Sequence, residues 1–156
     1  VKFQGVDEDH YVWSLSASEK RALIMIVEEF PMLDGSLRPL SSDATPEAAE
    51  HNQLLIEALA ERRQQMRQDA RAILSAEGTF QKQGPKLKLR LKRSEADCLL
   101  QIANDVRVGC WTRLGSPDPA SVPWWELIGD NAKFGFLLDA CGVLQMQLIH
   151  ALRRAP

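Results

Sequence analysis

Residues 86–93 constrain the fold more than any other stretch of this 156-residue chain. Leu87, Leu89 and Leu91 alternate strictly with Lys86, Lys88, Arg90 and Lys92. A period of two puts the leucines on one face and the cations on the other, the pattern of a half-buried strand. One strand alone leaves its backbone N–H and C=O groups unpaired, so a second must lie beside it. Tyr11, Trp13 and Leu15 have the same spacing. The pattern therefore predicts a two-stranded ribbon of 11–15 with 86–93.

Both strands open similar stretches of sequence. When Ser18 and Glu19 are laid over Ser94 and Glu95, Tyr11, Trp13 and Leu15 fall on Leu87, Leu89 and Leu91. Leu23 and Ile26 then fall on Leu99 and Ile102. Each half reads strand, short gap, helix. Ser16 and Glu19 have capping-box spacing, which starts a helix through the apolar run 22–27 that must stop before Pro31. Ser94 is expected to cap the later helix, which reaches about Leu114 and ends at Gly115 and the prolines beyond.

Residues 31–46 are rich in Pro, Ser, Asp and Gly and read as a long, flexible loop. Thr45 and Pro46 then supply an N-cap and a first-turn proline. The next break is Gly78, so this second helix spans about thirty residues, roughly 45 Å. Arg62 and Arg63 interrupt its apolar stripe of Leu55, Leu59, Met66, Ala70 and Ile73. A helix longer than the body beneath it either projects into solvent or meets a partner. Asp130 is expected to cap a last helix reaching about Arg154. The expected fold is mainly α: a four-helix core, a short helical turn at Trp124 and Trp125, and a small two-stranded β ribbon. All of it belongs to one domain over 1–156.

Composition agrees with a globular domain: 45% of residues are hydrophobic and 26% charged. The formal net charge of −2 removes the simplest argument for a nucleic-acid binder. Charge is nonetheless segregated. Residues 1–60 hold four basic and eleven acidic side chains, net −7, whereas 61–113 hold twelve and six, net +6. Neutralisation within the molecule is the simplest consequence. The basic face of 86–93 offers contact to an anionic partner such as nucleic acid, but no aromatic residues interleave with it to stack bases. Lysines on an edge strand also serve as a guard against aggregation.

Cys98, Cys110 and Cys141 form no Cys-x-x-Cys pair, and an odd number of thiols suits a reducing compartment. Residues 1–10 lack the apolar core of a secretory leader. The chain begins at Val1 rather than Met, which leaves room for residues ahead of it. Residues 134–152 are apolar enough to suggest a membrane span. Asp139, Gln145, Gln147 and His150 interrupt them, so a buried bundle helix is expected and a bilayer is not. Cytoplasmic localisation follows.

Catalytic signatures are missing: no His-Glu-x-x-His, phosphate-loop, Gly-x-Gly-x-x-Gly or Gly-x-Ser-x-Gly pattern occurs. His10, His51 and His150 share no metal-ligand spacing with the cysteines, so neither metal nor cofactor is expected. The sharpest polar feature is the run from Asn104 to Gly115. Arg107 points to the side of Leu100, Ala103, Trp111 and Leu114, an arginine aimed at an apolar stripe. Asp139 is its complement, a carboxylate in the most apolar helix. The two are expected to form a buried ion pair between the last two long helices. Asp105 and Thr112 share the opposite face with Arg113 at its margin, and Gly109 leaves a groove that holds a small anion or a partner, or merely caps the helix end. Trp124 and Trp125 follow Pro-rich sequence and are candidates for an interface anchor.

At these residues a family resemblance enters. The segment Asn104, Asp105, Val106, Arg107 through Thr112, Arg113, Leu114 and Gly115 resembles the helix signature of a small helical family of unknown function, found mainly in actinobacteria. The preceding strand, the Ser94 start and the closing Leu138, Asp139, Leu144, Gln145, Leu148, Ala151 and Leu152 pattern are similar as well. The likeness covers about 87–154 and, more loosely, 11–27. Cys110 and Trp111 depart from the family's pattern. Members are often encoded beside the Clp protease adaptor, which implies a role near regulated proteolysis. The family lends no catalytic residues.

The function expected is that of a cytosolic, non-enzymatic interaction or regulatory accessory protein, with a protein partner or a second copy as its target. Its contacts would come from the long second helix, from Trp124 and Trp125, or from the helix of Arg107 and Arg113. The alternative is a small anionic-ligand binder or enzyme using Asp105, Arg107 and Arg113. A second alternative is weak nucleic-acid binding through 86–93.

Overall fold

In a computed structural model, which describes residues 1–33, 45–116, 118 and 129–154, the two alternating runs pair as expected but in the middle of a larger sheet. The elements run β1 (Lys2–Asp7), β2 (His10–Leu15), α1 (Ala17–Glu29), α2 (Pro46–Ser75), β3 (Phe80–Gln83), β4 (Lys86–Leu91), α3 (Arg93–Arg113) and α4 (Asp130–Arg154). The sheet is antiparallel with strand order β1-β2-β4-β3. It has four strands, not two. The added pair are edge strands whose sequences carry little alternation. Gly5 sits where the β1 register shifts, and β3 has Phe80 as its one large apolar residue. A strand that pairs on one side and half-exposes both faces leaves a weak trace in sequence.

The internal echo has a structural counterpart. Each half of the chain is a hairpin followed by two helices, and the hairpins meet along β2 and β4. Trp13 stands opposite Leu89, with Tyr11 opposite Leu91 and Leu15 opposite Leu87. α1 begins with the expected capping box, in which Ser16 Oγ accepts from the Glu19 N–H and the Glu19 carboxylate accepts from the Ser16 N–H. α3 begins with the same carboxylate at the same position: Glu95 accepts from the Lys92 N–H at 2.7 Å. The cap is therefore Lys92 rather than Ser94.

One sheet face is covered by helices. Trp13, Leu89 and Leu91 are fully buried beneath Ile26 and Val27 of α1, Leu99, Ile102 and Val106 of α3, and Leu137, Cys141 and Leu148 of α4. α4 is long and apolar enough to cross a membrane by length and composition; 39% of its apolar window is buried in this structure, while Val143 and Met146 stay exposed. Gln147 ties α4 to the sheet, its side-chain oxygen accepting from the Phe3 N–H at 3.0 Å. α2 packs on α1 and α3 through Met66, Ala70, Ile73 and Leu74 in its C-terminal half. Arg67 and Arg71 clamp Glu28 of α1 from the same half.

The opposite sheet face carries the cations of β4. They do not guard an edge, because β4 lies between β2 and β3. Lys88 and Arg90 reach Asp7 at 3.4 and 3.7 Å, and Arg90 reaches Glu8 at 3.6 Å. The acidic N-terminal region thus meets the basic central one within the molecule. Half-exposed pairs of this kind add little stability, but they cancel charge.

Candidate functional site

α3 positions Asp105, Arg107, Gly109, Thr112 and Arg113. Helical spacing sends their side chains in separate directions, and each has its own destination.

Asp105 faces inward and is 8% exposed. Its Oδ1 accepts the backbone N–H groups of Met32 at 2.8 Å and Leu33 at 3.2 Å. These two amides leave α1 and have no strand ladder to join, so a buried carboxylate supplies the acceptor they need. One turn further, Gly109 makes room for the same segment. A β-carbon at Gly109 would lie 2.4 Å from Met32 Cβ. The Cys110 Sγ stands 3.5 Å from Met32 Sδ, and Arg63 of α2 donates to the Leu33 carbonyl at 3.1 Å. The space expected to hold a small anion is therefore filled by the chain's own Met32 and Leu33.

Arg107 and Asp139 do not pair. Both are exposed, and the Arg107 guanidinium donates to Gln145 Oε1 of α4 at 3.3 Å. Gln145, 8% exposed, donates in turn to Asn104 Oδ1 at 3.2 Å. This triad of one guanidinium and two amides joins α3 to α4 where the ion pair was expected. The reason lies in the phase of α4. The stripe that turns inward is Leu137, Cys141, Leu144, Leu148 and Ala151, whereas Asp139 shares its face with Val143 and Met146, 46% and 59% exposed. Arg107 likewise stands on the boundary between a buried Ala103 and an exposed Trp111.

Thr112 turns back on its own helix, its hydroxyl donating to the Val108 carbonyl at 2.9 Å. Arg113 lies over the Phe134 ring, 5.2 Å from its centroid. The structure thus separates Asp105, Arg107, Thr112 and Arg113 rather than gathering them around one centre. Trp124 and Trp125, with the helical turn expected there, lie outside the described residues, as do positions 34–44 of the long loop.

Burial pushes the Cys110 thiol up to about 11 and that of Cys141 up to about 12. Both stay protonated at neutral pH and are poor nucleophiles. Among the described residues no three His, Cys, Asp or Glu side chains are grouped to hold a metal ion.

Sequence reasoning missed a cavity of about 350 Å³ between α1, α4 and the sheet. Its walls are Leu15, Leu23, Ile26, Leu89, Phe136 and Leu144, and its rim carries Glu19 and Asp139. The Glu19 carboxylate is engaged by the Ser16 N–H and by the Val1 nitrogen. The one signal in the sequence was Asp139 itself, an acid in an apolar helix.

A family model described as a domain of unknown function, DUF2017, matches residues 2–152. No curated protein and no solved structure matches the chain.

Proposed function

The chain belongs to the DUF2017 family, and we propose that it is a non-enzymatic accessory protein of the cytoplasm whose work is to bind another protein or a second copy of itself. The observation that carries this reading is α2. It runs for thirty residues and buries Ala70 alone among them. Helices of that length draw most of their stability from tertiary packing of an apolar face. In α2 the packed half ends near Met66, while Leu54, 59% exposed, Leu55 and Leu59 continue apolar surface toward the N-terminus. Exposed Trp111, Val143 and Met146 add apolar surface on α3 and α4.

The polar run on α3 supports the same reading by default, since Asp105 serves Met32 and Leu33 rather than a ligand. With Asp105 so engaged, an anion-binding or enzymatic role would rest on Arg107 and Arg113, which reach different neighbours, Gln145 and Phe134. Nucleic-acid binding through 86–93 has lost support to Asp7 and Glu8, which face Lys88 and Arg90. The resemblance to an actinobacterial-type family encoded beside the Clp protease adaptor extends the proposal to a partner in regulated proteolysis.

Affinity capture from native lysate at physiological salt, with light scattering for self-association, tests the proposal. Wild type and Leu54→Glu are compared after circular dichroism confirms that both are folded. A partner or dimer present for wild type and lost in Leu54→Glu is expected. A wild-type protein that is monomeric and captures nothing overturns the reading.

A further inference from the structure

We propose that the cavity between α1, α4 and the sheet is a binding site for a small molecule with an apolar body and a cationic nitrogen, the nitrogen being received by Asp139. This inference is independent of the observation that carries the accessory role, because no residue of α2 lines the cavity. At about 350 Å³ the cavity lies within the range of small-molecule sites, roughly 300–1,000 Å³. Leu15, Leu23, Ile26, Leu89, Phe136 and Leu144 give it apolar walls. An apolar ligand body therefore loses no hydrogen bonds on entry and gains burial.

The sign of the polar group follows from the rim. The charged groups that line the cavity are the Glu19 and Asp139 carboxylates and the Val1 nitrogen, which Glu19 holds, so Asp139 is the charge left unmatched; no Lys or Arg lines it. Glu19 is already engaged by the Ser16 N–H and the Val1 nitrogen. Asp139 is different: among the described residues it makes no hydrogen bond and no ion pair. It projects from α4 at the mouth of an apolar chamber, where an ammonium group meets an unused acceptor and a carboxylate or phosphate meets repulsion. Asp139 was also the residue that the apolar pattern of α4 left unexplained, since neither Arg107 nor any core contact uses it.

Three probes with one body and different heads test the assignment: octylammonium, octanol and octanoate, each titrated by calorimetry at neutral pH and mapped by the methyl signals of Ala22 and Ala140. Saturable binding is expected for octylammonium, tighter than for octanol by about two- to fivefold, the range an exposed ion pair supplies, with octanoate weakest. Asp139→Asn should bring octylammonium down to the affinity of octanol and leave octanol unchanged. Ala22→Leu, which places a larger side chain on the cavity wall, should weaken all three probes. If Ala22→Leu fails to fold, the Asp139→Asn comparison decides alone. Absence of saturable binding by every probe, octanoate as tight as octylammonium, or a preference that survives Asp139→Asn would each overturn the proposal.

Discussion

Gly109 and Met32 occupy one another's space: a β-carbon on Gly109 would stand 2.4 Å from Met32 Cβ. α3 lacks a side chain at that position so that the segment leaving α1 can lie against it, with Asp105 taking its amides one turn earlier. The most distinctive polar run in the sequence is thus a seat for the chain itself.

Gly109→Ala should destabilise the protein by about 1–3 kcal/mol, the cost of overpacking a filled site. Gly142, in α4, is the internal control, because nothing lies within 4 Å of its missing β-carbon. There the same substitution should stabilise by about 0.5–1 kcal/mol through helix propensity alone. Urea unfolding of the two variants measures both signs.

Asp105→Ala should cost about 1–3 kcal/mol, because the Met32 and Leu33 N–H groups lose their acceptor in a buried setting. Asp105→Asn keeps an oxygen in place and should recover part of the loss. The order wild type, Asn, Ala in thermal midpoint is the expected result.

Arg107→Ala should cost about 0.5–1.5 kcal/mol, the worth of one hydrogen bond to Gln145. A buried ion pair broken at one end would cost about 3–5 kcal/mol. Chemical denaturation separates the two ranges.

The strands that the sequence made legible are those with a buried face, and the helices are those with clear start and stop signals, the sparsely buried α2 included. β4 and β2 alternate because their leucines and aromatics all meet the helices, and α1 announces itself through Ser16 and Glu19. β1 and β3 were hidden because edge strands need neither pattern, and Gly5 breaks the period of β1 where the register shifts. A helical wheel grouped Arg107 with Ala103 and Trp111, and Asp139 with Val143 and Met146, but it could not give the depth of either group. Depth depends on where α3 and α4 meet, and that is fixed by Leu137, Cys141, Leu144 and Leu148 turning inward. The cavity beside Asp139 arises from three elements that leave a space between them, which no local pattern encodes.

Acid should loosen α2 from α1. The Arg71 guanidinium, with Arg67 behind it, holds the Glu28 carboxyl below its ordinary value of 4.5. A carboxyl depressed in the folded state contributes stability above its unfolded value, and that contribution is lost as pH falls through the folded one. Stability measured against pH should therefore fall below about pH 4.5 more steeply in wild type than in Glu28→Gln. The difference is small, because the pair is half exposed.

The central claim, that the unpacked half of α2 is an interaction surface, is tested most directly by a photo-crosslinking residue placed at Leu54 in living cells. A second at Gln81, on the exposed edge strand β3, serves as the control. A discrete adduct at position 54 and none at 81 is the result predicted. No adduct at 54, or equal yields at both positions, would contradict it.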